Sequence, residues 1–379
     1  MTYIEVHPAI LQWAIERNPR SNIRSRFPKL DKWLRGEAKP TLRQLEQLAK
    51  VTAVPFGYFF LDEPPQEELP IPFFRTQKDE GGRLPSPGLI EVVYTMQRRQ
   101  TWMREYLEEH GYERLPFVGS FSVEANPVEV SQSIRDVLEL SDDWAAQERT
   151  WTDALRKLQE KTEDADIIVV SSSVVGNNPH RPLDPEEFRG FVLVDEYAPL
   201  VFINSADAKS AQIFTLAHEL AHIWLGESAA FDLRALQPAD NRVERACDQI
   251  AAEFLVPSER LRNFWREASR KNQPFQTLAQ DFKVSEAVVA RRALDLQLIN
   301  KDEFFEFYED YLRRLQPAMP AEGGNFYVTQ RLRLGRRFAE TVVQAVREGA
   351  LLYHEAYRLT GLYGRTFERF VKYLTESVP

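Results

Sequence analysis

The stretch Phe214-Thr215-Leu216-Ala217-His218-Glu219-Leu220-Ala221-His222, continued by Ile223-Trp224-Leu225-Gly226, decides how this chain is read. Its residues favour a helix, and Gly226 is a suitable stop. A spacing of four puts His218 and His222 on one helical face, one turn apart. Two ring nitrogens so placed can approach one ion at about 2.0–2.1 Å. Glu219 follows the first of them directly, so it can leave the ion alone and take a proton from an activated water. Leu216, Leu220 and Ile223 supply an apolar face that would anchor the helix in a core.

Two imidazoles do not complete a catalytic zinc site; a third protein ligand is usual. No third His follows at short range after Gly226. Residues 243–257, from Val243 to Pro257, read as an amphipathic helix closed by the proline. Glu244, Cys247, Asp248 and Ala251 share one face of it. Glu244 is the expected third ligand, and Asp248, one turn on, is placed to accept the distal N–H of a ligand imidazole. Asp240, Asp248 and Glu253 compete with Glu244 for the ligand role. Cys247 reads as a small buried apolar residue, with a soft metal ligand as the alternative.

Around this segment, the 379 residues suggest two or three domains. Apolar residues make up 43% and charged residues 28%, an ordinary globular balance. The net charge of −9 speaks against a chain built to coat itself with nucleic acid. With one cysteine no intrachain disulfide can form, which fits a reducing compartment. No secretory signal and no apolar run of membrane-spanning length is seen, so a cytoplasmic protein without a membrane partner is expected.

The expected fold class is α+β and mainly helical, a small sheet flanked by helical domains. Residues 1–62 read as a helical unit, with helix starts at Pro8 and Thr41 and a stop at Gly36. Residues 63–88 are a Pro-rich linker. Residues 89–262 form the metal-binding domain, with helices over 89–110, 127–140 and 142–161. Its strands are expected at 166–170, 188–194 and 200–204, the last two as antiparallel neighbours. Residues 263–300 form a helical subdomain and 301–379 a C-terminal helical region.

At the quoted residues the chain resembles the ImmA/IrrE family of metallopeptidases. The likeness runs from Phe214 through His222 and resumes at Glu244-x-x-Cys247-Asp248-x-Ile250-Ala251-x-x-Phe254-Leu255-Val256-Pro257. The family usually has Ala-Asn at 247–248 and Phe-Ala at 250–251. Asp248 makes the pattern similar to thermolysin-type glutamate zincins. The resemblance spans about 165–260. It implies a gluzincin-like peptidase domain, a Zn2+ cofactor and a zinc metalloendopeptidase held by His218, His222 and Glu244, with Glu219 catalytic. Its implied substrate is a helix-turn-helix repressor or a toxin–antitoxin partner.

Residues 30–61 resemble the back half of an Xre-type helix-turn-helix; the front half, with Pro19 and Pro28, departs from it. Residues 278–298 carry a second such pattern, with Arg291 and Arg292 on its second helix. Basic runs over 17–43, and at Arg331, Arg333, Arg336 and Arg337, leave DNA as a partner through the N-terminal domain. The alternatives to a protease are a DNA-binding regulator and an antitoxin-type binding protein, each keeping a zinc-sensing or structural site. Arg242, Tyr197 and His180 are the candidates for polarising a substrate carbonyl. Strand 200–204, if it is a sheet edge, can pair with an extended substrate.

Overall fold

Pro8 opens the first helix as its fixed φ predicts, α1 (Pro8–Glu16), and the His7 ring accepts the Ala9 N–H. The computed structural model describes residues 2–17, 23–52, 54–65, 85–227, 229–231, 242–314 and 325–376. The chain divides into two compact units, Met1–Pro70 with Glu80–Tyr94, and Ile71–Asp79 with Thr95–Pro379. The first unit continues with α2 (Ile23–Arg26), α3 (Leu30–Leu34), α4 (Leu42–Thr52) and a 3-10 turn, Phe56–Phe60. A reciprocal cap starts α4: Thr41 Oγ1 accepts the Gln44 N–H, and Gln44 Oε1 accepts the Thr41 N–H. Leu11, Leu30, Trp33, Leu45, Leu48 and Phe59 form its core. α2 has four residues and α3 five, against nine in α1 and eleven in α4. Arg24, Arg35 and Lys39 there pair with Asp31, Glu37 and Glu5.

Pro87 starts α5 (Pro87–Glu109), which runs across the division between the units. The second unit adds α6 (Pro127–Val137), α7 (Trp151–Asp164), β1 (Ile168–Ser172), β2 (Gly190–Leu193) and β3 (Leu200–Asn204). The helix expected from 142 begins only at Trp151. Residues 142–150 are turns, and the Thr150 hydroxyl accepts the Asp153 N–H as the cap. Next come α8 (Lys209–Leu225), β4 (Ala229–Phe231) and α9 (Arg242–Leu255). The chain then proceeds through α10 (Ser258–Ala268), α11 (Pro274–Phe282), α12 (Glu286–Asp295) and α13 (Lys301–Arg314). It ends in α14 (Phe326–Leu334), α15 (Arg336–Glu348), α16 (Tyr353–Thr360) and α17 (Arg365–Glu376). The fold is α+β and mainly helical, as the sequence implied.

The sheet order is β1-β3-β2-β4, with β1 parallel to β3 and the other pairs antiparallel. The β2–β3 pairing matches the sequence reading. The edge role suggested for 200–204 does not stand, because β3 is bonded on both sides. β1 and β4 are the outer strands, and α14 with the turn at Gly335 packs against β1. Every residue of the three longer strands is buried, so period-2 alternation could not mark them.

The helix carrying the two histidines, α8, is buried continuously from Gln212 to Leu225. The sheet covers one side and α6, α7 and α9 cover the other. Its C-terminus needs partners for its last carbonyls. Gly226, at φ 77°, ends it and lets the Glu227 N–H reach His222 O at 3.0 Å. The Gly119 and Phe121 N–H groups donate to Ile223 O and Trp224 O at 2.9 and 3.1 Å. Phe117 stacks on Trp224 at 4.5 Å between centroids, fixing this contact laterally.

α11 and α12 are joined by a tight turn, with Lys283 left-handed there and Ser285 capping α12. Residues 287–290, Arg292 and Ala293 of α12 are buried. Arg292 is ion-paired with Glu253 and donates to Val256 O. The second helix of this pair is thus an internal packing element, not a free reading head. Likewise Arg336 and Arg337 do not form a free basic face: they pair with Asp164 and Asp166, and Glu163 accepts the Arg337 N–H. This joins α15 to the end of α7.

Gly190 lies where β2 crosses α8. A Cβ there would meet Thr215 Cγ2 at 2.5 Å, Phe202 O at 2.8 Å and Glu219 Oε1 at 3.2 Å. Two of these neighbours are a backbone oxygen and a stiff β-branched side chain, so neither yields easily. Gly190→Ala should lower unfolding stability by about 1–3 kcal/mol, the usual scale for overpacking. Urea denaturation measures it; an unchanged midpoint would show that β2 can back away from α8.

Candidate metal centre

The one-turn spacing on α8 brings His218 Nε2 and His222 Nε2 to 3.1 Å. The first turn of α9 packs against this face and supplies Glu244. Its Oε2 lies 3.2 Å from His218 Nε2 and its Oε1 lies 3.3 Å from His222 Nε2. Donors about 2.0–2.1 Å from one tetrahedral ion stand about 3.3–3.4 Å from each other. The three side chains therefore have both the chemistry and the mutual spacing for a divalent ion, and all three are buried.

Behind this triangle, Asp248 Oδ1 lies 3.0 Å from His218 Nδ1. A carboxylate there holds the proton on Nδ1 and leaves the Nε2 lone pair for a ligand. His222 Nδ1 is buried without a hydrogen-bond partner among the described residues. Cys247 is fully buried, and its Sγ lies within 4.8 Å of ligand atoms of both histidines.

Glu219, the residue after His218, has a carboxylate oxygen close to Gly190 and is fully buried. Neither carboxylate oxygen has a hydrogen-bond partner among the described residues. Such a group is costly to ionise. Burial pushes its pKa well above the usual carboxylate range, the His218 charge pulls it back, and Glu244 adds to the rise. A divalent cation at the cluster would favour the ionised form. Burial, against the opposing effect of Glu244, lowers His222. Burial also drags on His218, but the bonds to Asp248 and Glu244 outweigh it and push that ring up to about 10. For Glu244, hydrogen bonds from both rings overcome burial and hold the carboxyl well below its ordinary value.

The remaining candidates from the sequence lie apart from this cluster. Glu253 is the ion partner of Arg292 and accepts from the backbone and hydroxyl of Ser258, which starts α10. Asp240 lies outside the described residues. Tyr197 sits off the far end of the β2–β3 hairpin from Gly190 and contacts Arg114. Arg242 is exposed and paired with Glu124, and His180 is exposed between β1 and β2. Among the described residues no hydrogen bond or ion pair ties any of these last three to the cluster. Sequence reasoning missed the close approach of Gly190 to Glu219; a glycine opening a β-branched, aromatic run was the available signal.

Residues 163–294 match the peptidase M78 family model, described as an IrrE N-terminal-like domain. The match takes in the sheet, α8, α9 and nearly all of α12, so the chain carries a peptidase-type domain. Residues 334–373 match a domain of unknown function, which corresponds to α15, α16 and most of α17. No curated protein matches the chain. No helix among the described residues is long and apolar enough to cross a membrane.

The raised pKa of His218 fixes the pH response. A raised folded value stabilises the metal-free protein fully below the unfolded value near 6.5, and that gain is lost as pH rises toward about 10. Within the same window a metal ion must displace the Nε2-side proton. Zinc binding near pH 8 should therefore release at least one proton, read by calorimetry in buffers of different ionisation enthalpy. Apparent affinity should weaken about tenfold per pH unit below that. Binding without proton release would mean His218 is not displaced.

Proposed function

We propose that the chain is a zinc-dependent endopeptidase of gluzincin type. Its ligands are His218, His222 and Glu244, its proton carrier is Glu219, and Asp248 orients His218. The observation that carries this reading is the closure of a 3.1–3.3 Å triangle of two imidazole nitrogens and one carboxylate, beside a buried carboxylate with no partner. The match of residues 163–294 to a peptidase family model supports it.

A divalent ion bound by this set supplies Lewis acidity toward a peptide carbonyl and toward water. Glu219, held against Gly190, takes the proton of the attacking water at a carboxylate oxygen and passes it to the departing amine. Its raised proton affinity suits the first of these steps. The desolvated surroundings of α8 keep bulk water from competing for that proton. An extended substrate backbone pairs with the outer edge of β4, since the C-terminal helices pack against β1. A helix-turn-helix repressor or a toxin–antitoxin partner is the substrate class the family likeness suggests.

A second reading follows from Cys247. If its Sγ joined His218, His222 and Glu244, all four tetrahedral positions would be protein ligands and the centre would be structural or sensory. Cys247→Ala separates the two: a peptidase keeps its metal and its hydrolysis, whereas a closed sulfur site loses metal.

Glu219→Gln should retain stoichiometric zinc after dialysis while losing hydrolysis of a co-expressed substrate by about a hundredfold or more, as for removal of a general base. Wild-type rates in that variant would remove Glu219 from the proton-carrying role. Glu244→Ala should lose most of its zinc under the same dialysis, by about 10–100-fold or more in affinity. Full metal content would assign the third ligand elsewhere, and Cys247 is the alternative in reach.

A further inference from the structure

Behind the candidate centre the second unit encloses a cavity of about 530 Å³. Its walls are the start of α6 and the facing sides of α9 and α12. That volume lies within the range of small-ligand sites, about 300–1,000 Å³. Its apolar lining is Val128, Phe214, Ala252, Val288 and Leu296. Asp248, which bonds His218 Nδ1, forms part of the wall.

The wall carries three arginines and three carboxylates, but they are not all paired with one another. Glu253 and Arg292 are ion-paired. Asp295 accepts from Arg291 Nε at 3.0 Å. Asp248 is engaged by His218. Every carboxylate of the lining thus has a cationic or imidazole partner. One charged group remains: Arg245, exposed on α9, has no ion pair or hydrogen bond among the described residues. A planar guanidinium at the mouth of an apolar cavity is suited to a carboxylate, which it can hold through two parallel N–H donors.

We propose that this cavity binds an apolar group bearing a carboxylate, with the apolar part on Phe214, Ala252 and Val288 and the carboxylate on Arg245. Two sources share this chemistry: an acidic side chain of a bound polypeptide, and a free small organic acid. The site stands independently of peptide hydrolysis, because its lining excludes the three proposed ligands and Glu219.

Calorimetric titration of the full chain tests it with two matched pairs of probes. One pair is 4-phenylbutyrate and 4-phenylbutanamide. The other is acetyl-Ala-Glu-Ala-amide and its Gln counterpart. In at least one pair the acid should bind tenfold or more tighter than the amide. Arg245→Gln should erase that preference, and Ala252→Phe, which fills the cavity, should abolish binding of the preferred acid. Preference within the peptide pair alone assigns the carboxylate to a polypeptide, and preference within the other pair alone assigns it to a small acid. Equal binding of acid and amide in both pairs, absence of binding by all four, or an acid preference that survives Arg245→Gln overturns the proposal. Hydrolysis measured beside these titrations on wild-type protein keeps the two readings separable: loss of one leaves the other standing.

Discussion

The burial of α8 on every side governs this structure. A helix whose residues from Gln212 to Leu225 are all removed from water carries two imidazoles and a carboxylate into a region where each polar atom needs a partner. Glu244 meets both Nε2 atoms, and Asp248 meets the remaining nitrogen of His218. Among the described residues the Glu219 carboxylate, His222 Nδ1, Gln212 Oε1 and Thr215 Oγ1 of this helix stay without a hydrogen-bond partner. In a low-dielectric interior such gaps cost more than at a surface, and they concentrate at sites built for chemistry rather than for stability. The displaced proton affinities of His218, Glu219 and Glu244 are consequences of this one constraint.

Holding α8 in place falls to elements that are otherwise ordinary. The hairpin β2–β3 lies on one side of it and approaches closely enough at Gly190 that only hydrogen fits. The segment through Gly119 and Phe121 satisfies its terminal carbonyls. α9 is steadied from beyond by the Glu253–Arg292 pair, so α12 acts as a buttress for the helix that brings Glu244. The C-terminal helices reach the same domain through Glu163, Asp164 and Asp166 at the end of α7. Between the buttress and the cluster lies the cavity whose unpaired Arg245 gives it a charge preference.

Much of this was legible in the residues. Spacing alone puts His218 and His222 on one face, Gly226 marks the end of α8, and Thr41 with Gln44 writes out a capping box. The antiparallel pairing of 190–193 with 200–204 followed from two β-branched runs joined by a short polar turn. Where the reading failed, the reason is physical. Helical periodicity over 142–150 did not separate turns from helix, because the deciding event is a cap at Thr150. Strand 200–204 looked able to serve as an edge because its β1 partner is distant along the chain, and only the parallel crossover puts it in the middle.

The sequence by itself determined local matters: helix spacing, caps, breakers, the absence of an intrachain disulfide, and the donor types available to a metal. Those depend on interactions spanning a few residues, which a linear pattern records. Only the tertiary structure decided that Glu244 comes within 3.3 Å of both rings while Glu253 turns to Arg292, and that Cys247 lies beside the cluster. It also decided that a second basic helix is packed away instead of presented. Each of these choices rests on how α9 docks against α8 and α12. Docking sums many weak long-range contacts, and no short stretch of chain encodes its outcome.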